Sequence, residues 1–362
     1  MAPFGERPRR EADTAARGVA RPEDSPWVRA AVDALPRHLF AADRPGRPGT
    51  TAPPCPRTVV DLLDSLRLKP GHRVLELGTG SGWTAALLAH RAGPGRVTSV
   101  EADPGRAAAA RRRLAAAGAG PAVEVADSAA GWPRGAPYDR VVSARAVDRV
   151  PWAWVAQTRP GGRIVTPWGR LGHVALTVAA DGRSASGWVQ GAACRTPARA
   201  EDTGSDGFAR VRGAGPAAGE RPWSRDPAAL REDRHLRFAL SVALPGVRVT
   251  VAAAGHGTGA RLHDGVSSWA TLSTLPDATA LAAQGGPRRL ADELELAWDG
   301  WLEAGSPDLY EFGLTVESEE LQYAWALDQE TGPRWLLPAP ADPGAAPGDG
   351  PSPDDPAGRR RR

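Results

Sequence analysis

The chain has 362 residues, enough for one large domain with a buried core and a smaller second domain. It contains no run of about 18 apolar residues, so we expect no transmembrane helix. The formal charge of +3 includes the four arginines at 359–362, and the rest of the chain carries −1, which does not support a basic nucleic-acid surface. Cys55 and Cys194 are far apart and form no C-x-x-C motif, which fits a reducing cytoplasm and no metal site.

The first part of the chain combines polar segments with two predicted helices. Residues 1–24 are polar, lack the apolar core of a secretory signal, and are predicted to be disordered. Apolar residues at helical spacing predict a helix that starts at Trp27 and stops at Pro36, and a second, amphipathic helix over Thr58–Leu68. The Pro-, Gly- and Thr-rich segment 41–56 between them is a predicted loop.

From residue 73 to about 190, predicted strands and helices alternate. This alternation is typical of a doubly wound parallel sheet with ligands at the carboxyl ends of its strands. The turn at 180–183 indicates an antiparallel hairpin at one edge, so we predict an α/β fold with a mostly parallel, seven-stranded sheet. The predicted strands are 73–77, 96–101, 121–125, 139–143, 162–167, 173–179 and 184–190, and the predicted helices are 82–92, 104–117 and 148–158.

A smaller α+β domain is predicted after a linker that is rich in Pro, Gly, Ala and charge. Its predicted elements are strands at 236–244 and 247–254, an amphipathic helix at 287–304, and a β-pair formed by 311–316 and 321–327. The last segment is rich in Pro, Gly and Asp and is predicted to be disordered. The predicted divisions are a disordered start at 1–24, the main domain at 25–194, the linker at 195–235, the α+β domain at 236–338 and a disordered tail at 339–362.

The segment VLELGTGSG at 74–82 is the most informative motif. Its apolar start predicts a buried strand, and its alternating glycines allow a close backbone approach to a ligand and left-handed φ angles. The G-x-G-x-G spacing differs from the G-x-G-x-x-G of nicotinamide enzymes and therefore disfavours them. It suits S-adenosylmethionine (SAM), whose methionine end is zwitterionic and has no pyrophosphate. The cofactor contacts predicted here are Glu76, Gly78, Thr79, Gly80 and Gly82.

Two further acids lie where strands end. Glu101 closes the second strand, 19 residues after Gly82, where a carboxylate can accept from both ribose hydroxyls. Asp127, followed by Ser128, ends the third strand and could accept from an adenine amino group, while neighbouring N–H groups serve ring nitrogens. The alternatives are a solvated strand-end acid and an ordinary turn former. Together with Glu76, these acids would give the cleft a negative potential that suits a sulfonium cation.

Five segments spread over residues 27–193 carry a more specific signal. They are PRHLF at 36–40, VLELGTGSGWTAALLA at 74–89, ADSAAGW at 126–132, APYDRVV at 136–142 and RPGGRIVTPWG at 159–169. Together they resemble the protein-L-isoaspartate O-methyltransferase family, whose GDGxxGW block is matched with Ala126 and Ser128 replacing two residues. The resemblance implies a Rossmann-like class I SAM methyltransferase fold and a carboxylate as methyl acceptor.

The acceptor loop departs from the family pattern. The family carries a Q-T-I-S-Q-P segment whose serine and threonine help to form the acceptor site, and without gaps this segment falls on residues 51–56. The serine position becomes Pro54, which has neither a hydroxyl nor an N–H. Thr50, Thr51 and Cys55 lie nearby and could substitute for the serine, and Thr50 and Thr51 are the candidate acceptor residues.

Residues 150–162 and 286–316 resemble a narrower group, the actinobacterial C-terminally extended relatives that accompany ATP-grasp or lanthipeptide machinery. That resemblance implies methylation of an aspartate in a ribosomal precursor peptide, after which the ester cyclises to an aspartimide. It also implies a peptide-modifying enzyme of the same pathway as a partner.

The leading hypothesis is a cytoplasmic, SAM-dependent carboxyl O-methyltransferase acting on Asp or isoAsp in a peptide, with no nucleic-acid or membrane partner. A carboxylate is ionised at neutral pH (pKa about 3.9), so this chemistry requires no general base. The alternatives are general repair of isoaspartate in proteins and a SAM-fold binding module with weak or no turnover.

Overall fold

The computed structural model describes residues 25–40, 56–169, 171–192, 205–213, 217–251, 258–275 and 279–338. The predicted disordered ends, 1–24 and 339–362, lie outside these ranges. None of the helices in the described part combines the length and apolar character that a membrane span requires.

Two amphipathic helices precede the sheet, as predicted. Helix α1 (Pro26–Ala34) begins with a proline, which suits a first helical turn, and ends before Pro36. A short 3₁₀ turn over Arg37–Phe40 follows it. Helix α2 (Pro56–Leu66) buries its apolar side against the sheet, so both helices contribute to the core.

Five parallel strands form the half of the sheet that the sequence describes best. Their spatial order is β3-β2-β1-β4-β5, so the strand order reverses between β1 and β4, where open α/β sheets bind ligands. Helices cover both faces, which is why β1 is buried along its whole length. The elements are β1 (Val74–Leu77), α3 (Trp83–Ala92), β2 (Val97–Glu101), α4 (Pro104–Ala116), β3 (Ala122–Val125), β4 (Tyr138–Ser143), α5 (Trp152–Ala156) and β5 (Thr158–Trp168).

Five antiparallel strands continue the same sheet, which therefore has ten strands within the described residues rather than the predicted seven. Strands β6 and β7 form the predicted hairpin, and the pairing of β13 with β14 confirms the predicted β-pair. However, β13 pairs with β7, so this β-pair extends the first sheet and does not belong to a separate domain at 236–338. The strands are β6 (Gly172–Val178), β7 (Ala185–Ala192), β13 (Phe312–Val316), β14 (Gln322–Ala326) and β15 (Arg334–Leu336).

A second, five-stranded antiparallel sheet is inserted between β7 and β13, in the order β8-β12-β11-β10-β9. The predicted helix at 287–304 is confirmed as α9. The predicted linker at 195–235 is wrong in part, because it contains two helices and strand β8. The elements are α6 (Ser205–Arg212), β8 (Gly219–Trp223), α7 (Ala229–Glu232), α8 (Arg234–Ala243), β9 (Arg248–Val251), β10 (Thr258–His263), β11 (Trp269–Thr274), β12 (Ala280–Gly285) and α9 (Leu290–Glu303).

The strand predicted at 236–244 is wrong, because this segment forms helix α8. The Asp233 carboxylate caps the helix by accepting from the N–H groups of His235 and Leu236. The helix is buried on two sides: Leu236 and Leu240 belong to the core of the inserted sheet, and Phe238 belongs to the core of the main sheet. Apolar residues on both sides of a helix imitate the pattern of a buried strand.

Helix α8 also joins the inserted region to the ligand edge of the main sheet. The Phe238 ring packs edge-on against Trp168, with 6.1 Å between ring centroids, and Trp168 is the last residue of β5. Since β4 and β5 are parallel, the carboxyl end of β5 lies at the same edge as that of β4. The inserted region therefore packs beside this edge.

Candidate cofactor and acceptor site

The glycine loop between β1 and α3 has a backbone that requires its glycines. Gly78, Gly80 and Gly82 have φ angles of +94°, +55° and +92°, all in the left-handed region. A Cβ at Gly82 would lie 3.2 Å from Cγ of Leu114, so close packing against α4 also requires a glycine there. At Gly80 the nearest atom of the described residues to such a Cβ would be 4.0 Å away, so these residues leave open space beside the middle of the loop.

Glu101 lies directly beside this loop at the carboxyl end of β2. Its Oε2 accepts from the N–H of Gly80 at 3.0 Å, and its Oε1 accepts from the N–H of Asp103 at 3.2 Å. A carboxylate oxygen can accept two hydrogen bonds, so each of these oxygens keeps acceptor capacity for a ligand hydroxyl. The structure brings Glu101 and the loop together, and the ribose contact itself stays a prediction.

Glu76 lies beneath the loop and is only 1% exposed. Its Oε2 accepts from Ser99 Oγ at 2.5 Å, and Ser99 Oγ lies 2.6 Å from Oγ1 of Thr79. Burial raises the pKa of Glu76 to about 8; the hydrogen bond from Ser99 opposes this shift and the charge of Glu101 adds to it. The carboxyl is therefore mostly protonated at pH 7 and does not supply the negative charge expected from the sequence. It supports the loop from below through Ser99 and Thr79.

The sequence reasoning did not identify Ser99. The available signal was its register, since Ser99 pairs with Glu76 on the neighbouring parallel strand, where Glu76 is a polar residue in an otherwise apolar strand.

Asp127 and Ser128 begin the loop that follows β3. Asp127 is exposed, and its Oδ1 accepts from the N–H of Ala129 at 2.9 Å. This hydrogen bond forms a local turn, which was the alternative role predicted for Asp127. The carbonyl of Ser128 accepts from Trp154 Nε1 at 2.8 Å. The loop thus lies at the same sheet edge as Glu101, one strand further out.

Gln157, which the sequence reasoning did not single out, fixes the rest of this loop. Its Oε1 accepts from the N–H of Trp132, and its Nε2 donates to the carbonyl of Ala130, both at 2.8 Å. Gly131 lies between these two partners with a φ of +67°, and a Cβ there would lie only 2.5 Å from Oε1 of Gln157. The available signal was a single amide at the end of the apolar segment 150–158.

Arg145 brings a positive charge to the switch point between β1 and β4. The hydroxyl of Ser143 fixes its backbone by donating to its carbonyl at 3.0 Å and accepting from its N–H at 3.1 Å. The side chain is exposed and crosses Gly78, since a Cβ at Gly78 would lie 3.5 Å from Cγ and Cδ of Arg145. Within the described part of the chain, the guanidinium has no hydrogen-bond or ion-pair partner. A lone cation directly after β4 was the signal available in the sequence.

The predicted acceptor residues Thr50 and Thr51, and Pro54, lie outside the described residues. Among the residues that the structure describes, no group of three or more His, Cys, Asp or Glu side chains is arranged to hold a metal ion.

Comparison with known proteins agrees with this architecture. Residues 49–189 match the model of the family described as Protein-L-isoaspartate(D-aspartate) O-methyltransferase. A protein-L-isoaspartate O-methyltransferase of Methanoculleus marisnigri is 41% identical over 155 residues, which cover 39% of this chain and 69% of that protein. The chain belongs to this family. Protein-L-isoaspartate O-methyltransferases use SAM, the cofactor predicted from the glycine loop.

Two further family members show how far the likeness extends. The protein-L-isoaspartate O-methyltransferase of Anaeromyxobacter dehalogenans is 47% identical over 116 residues, which cover 32% of this chain and 54% of that protein. That of Methylorubrum populi is 42% identical over 121 residues, which cover 33% of this chain and 56% of that protein. The chain thus spans little more than half the length of these curated relatives, and the family match ends before the inserted sheet and β13–β15.

Proposed function

We propose that this chain is a SAM-dependent carboxyl O-methyltransferase that methylates an Asp or isoAsp carboxylate in a peptide. One observation carries the proposal: the Glu101 carboxylate is bonded to the centre of a left-handed glycine loop and keeps acceptor capacity beside open space. This arrangement lies at the carboxyl edge of the parallel strands, where doubly wound sheets bind their ligands.

The residues present fit the cofactor. Glu101 would accept from the two ribose hydroxyls, and the open space beside Gly80 leaves room for a ligand against the loop backbone. Asp127 would accept from the adenine amino group, with Ser128 at the same turn. When bound, SAM supplies a methyl group on a sulfonium that is already a strong electrophile. The residues that would hold it are Gly78, Thr79, Gly80, Gly82, Glu101, Asp127 and Ser128, with Glu76 beneath the loop.

The remaining task of the protein is to position the acceptor and exclude water. An acceptor carboxylate is ionised at neutral pH and needs no base, but it does need an electrostatic partner that fixes its direction. Arg145 supports this role because its guanidinium, which is unpaired among the described residues, extends past Gly78 at the edge where the cofactor would bind. An arginine hydrogen-bonded to one carboxylate oxygen leaves the second oxygen free to attack.

The substrate class we propose is a ribosomally made precursor peptide, with Thr50 and Thr51 in the acceptor loop. The resemblance of residues 150–162 and 286–316 to the extended actinobacterial relatives supports this, as does Pro54 in place of the family's serine. After methylation, the backbone nitrogen of the next residue would attack the ester carbonyl. A C–N bond forms, the C–O bond to the methoxy group breaks, and the nitrogen's proton leaves with methanol. An enzyme that modifies the same peptide would be the partner, and neither a nucleic acid nor a membrane is proposed.

General repair of isoaspartate is the second candidate. The family match over residues 49–189 favours it, because the matched relatives are named protein-L-isoaspartate O-methyltransferases. A binding module without turnover is the third candidate, and the altered acceptor loop at Pro54 favours it.

Methyl transfer to matched peptides separates these candidates. The full chain is incubated with methyl-labelled SAM and two peptides of one sequence that contain either Asp or isoAsp, and base-released methanol is counted. Label in the Asp peptide supports peptide tailoring, and label in the isoAsp peptide alone supports repair. SAM affinity in calorimetry without label in either peptide would contradict the enzyme and favour the binding module.

A further inference from the structure

Segment 144–152 links β4 to α5 and includes Trp152, the first residue of α5. It is hydrogen-bonded to the last three strands, β13–β15, and we call residues 312–338 the C-terminal hairpin. The N–H of Val150 donates to Oε1 of Gln322 at 3.0 Å, and Nε2 of Gln322 donates back to the carbonyl of Val150 at 2.8 Å. Val150 and Gln322 are both fully buried. Both backbone groups of Val150 therefore depend on this single amide, since water does not reach them.

Arg149 makes a second set of bonds between the same two segments. Its Nη1 and Nη2 atoms each donate to two backbone carbonyls of the C-terminal hairpin. The N–H of Trp152 donates to a carboxylate oxygen of Glu319 at 2.8 Å. The four carbonyls bonded by Arg149 belong to Glu319, Glu320, Leu337 and Pro338.

The other end of segment 144–152 reaches the cofactor loop and β5. Arg145 crosses Gly78, as described above. The N–H of Val147 donates to the carbonyl of Pro167 at 3.1 Å, and Trp168 Nε1 donates to the carbonyl of Asp148 at 3.3 Å. The segment therefore runs from the glycine loop, past the end of β5, to the C-terminal hairpin.

We propose that Gln322 and Arg149 are positioning residues through which the C-terminal hairpin holds segment 144–152 in the conformation where Arg145 meets the acceptor carboxylate. The inference rests on the proposed function, since it assigns part of the acceptor side of that site. Segment 144–152 has little regular structure of its own, and its residues 149–152 would sample many conformations without these bonds, on the C-terminal side of Arg145. The bonds that shape the glycine loop come from β2 instead, so cofactor binding should not depend on the hairpin.

Two substitutions and a matched control test this. Gln322→Met keeps the length of the side chain and removes its amide, and Arg149→Lys keeps the charge and removes the forked donor. The control is Arg334→Ala, since Arg334 lies in the same hairpin and bonds the carbonyls of Gln329 and Glu330, which are outside segment 144–152. For each full-length variant, the SAM Kd is measured by calorimetry, and kcat and KM are measured with the peptide that the wild-type chain methylates. Amide hydrogen exchange is measured on the same variants.

The expected result is a change on the acceptor side alone. Gln322→Met and Arg149→Lys should raise the KM for the peptide severalfold, up to the effect of about tenfold expected for removal of the Arg145 side chain, while the SAM Kd changes less than twofold. The amides of Val150 and Trp152 should exchange at least tenfold faster in Gln322→Met, with the β1 and β2 amides unchanged as a check on the fold. Arg334→Ala should leave all of these values at the wild-type level.

Several outcomes would overturn the inference. The first is that Gln322→Met and Arg149→Lys both keep wild-type amide exchange and a wild-type KM for the peptide. The second is that Arg334→Ala raises this KM as much as the two test variants do. A parallel loss of SAM affinity and of β1 protection in both variants would show that the hairpin supports the whole fold and does not position the acceptor side. Absence of methylation by the wild-type chain would contradict the proposed function, whereas active variants with wild-type KM would contradict only the positioning role.

Discussion

The two halves of the ten-stranded sheet are held together over very different distances along the chain. In the parallel half, the polar contacts described for the cofactor side join residues at most 27 positions apart, from Glu101–Asp103 to Gln157–Ala130. On the other side of the site, the bonds of segment 144–152 to the C-terminal hairpin join residues 167 to 189 positions apart. One side is therefore specified locally and the other by long-range contacts.

This difference has a consequence for function. A locally specified cofactor side can be kept intact while the rest of the chain changes, because its bonds lie within consecutive strand–helix units. The proposed acceptor side depends on segments far apart in the chain, including the hairpin that follows the inserted sheet. Changes in those distant segments can alter acceptor choice without affecting the cofactor loop. The predictions below test whether the two sides are separable in this way.

The largest expected effect is at Gly131, on the local side. Gly131→Ala places a residue with a Cβ at positive φ, which costs about 1 kcal/mol, and it displaces the Gln157 amide. Displacement leaves the Trp132 N–H and the Ala130 carbonyl without their partner, at about 1–3 kcal/mol. Urea unfolding should therefore show a loss of about 2–4 kcal/mol.

Gly161→Ala is the matched control for Gly131. Gly161 has a similar φ of +69°, but no atom of the described residues lies within 4 Å of its Cβ position, so only the backbone cost of about 1 kcal/mol applies. Equal losses in the two variants would mean that Gln157 does not hold the loop after β3.

The next effect in size is the pH dependence that Glu76 gives to stability. Its pKa is raised from 4.5 to about 8 in the folded chain, so between these values the folded state keeps a proton that the unfolded state has released. The free energy of unfolding should then fall as pH rises through this window, by up to about 1.4 kcal/mol per pH unit, and level off above about 8.

Glu76→Gln isolates this contribution, because glutamine resembles the protonated acid and can still accept from Ser99. Between pH 6 and 8 the wild type should lose about 2–3 kcal/mol more than the variant in denaturant titrations. Parallel curves for the two proteins would contradict a protonated Glu76.

Glu101→Ala should weaken SAM binding by about 1–3 kcal/mol, because ribose hydroxyls would lose their charged acceptor. The matched control is Glu124→Ala, since Glu124 lies on the adjacent strand in register with Val100 and one residue before the end of β3. Calorimetry should show a weaker affinity for Glu101→Ala and an unchanged one for Glu124→Ala. Unchanged affinity in both would contradict the cofactor site.

The local half is also the half that sequence patterns predicted well. All five parallel strands and both long crossover helices lie within a few residues of their expected positions. The exception is α5, predicted at 148–158 and observed at Trp152–Ala156. The residues before Trp152, which were predicted to form the first turn of this helix, instead bond to the C-terminal hairpin. Hydrophobic periodicity within one segment cannot reveal such a contact.

Only β9 (Arg248–Val251) of the inserted sheet lies within a predicted strand, at 247–254, and the other four strands were missed for a different physical reason. Strand β12 has the sequence ALAAQG, whose small residues carry little strand propensity, and its position is fixed by pairing with β11 and β8. In helix α8 the hydrophobic pattern indicated a strand because both sides of the helix are buried. In both regions tertiary packing decided the structure and local sequence did not.

The same reason explains which site residues were found. The glycine loop and Glu101 could be predicted from strand ends and residue spacing. Arg145 lies beside Gly78 only because β4 pairs with β1, which residue spacing does not show. Gln157 gains its role only when the loop after β3 packs against it.

The smallest expected effect tests Arg145 and hence the division between the two sides. Arg145→Ala should raise the KM for the peptide about tenfold, equivalent to about 1.4 kcal/mol, since an exposed guanidinium pairs only weakly with a carboxylate. Arg145→Lys should recover part of this, because it keeps the charge and loses the fork. SAM itself carries a carboxylate, so the SAM Kd of both variants is measured in parallel. A rise in the SAM Kd with an unchanged peptide KM would place Arg145 on the cofactor side, and the two sides would then share this residue.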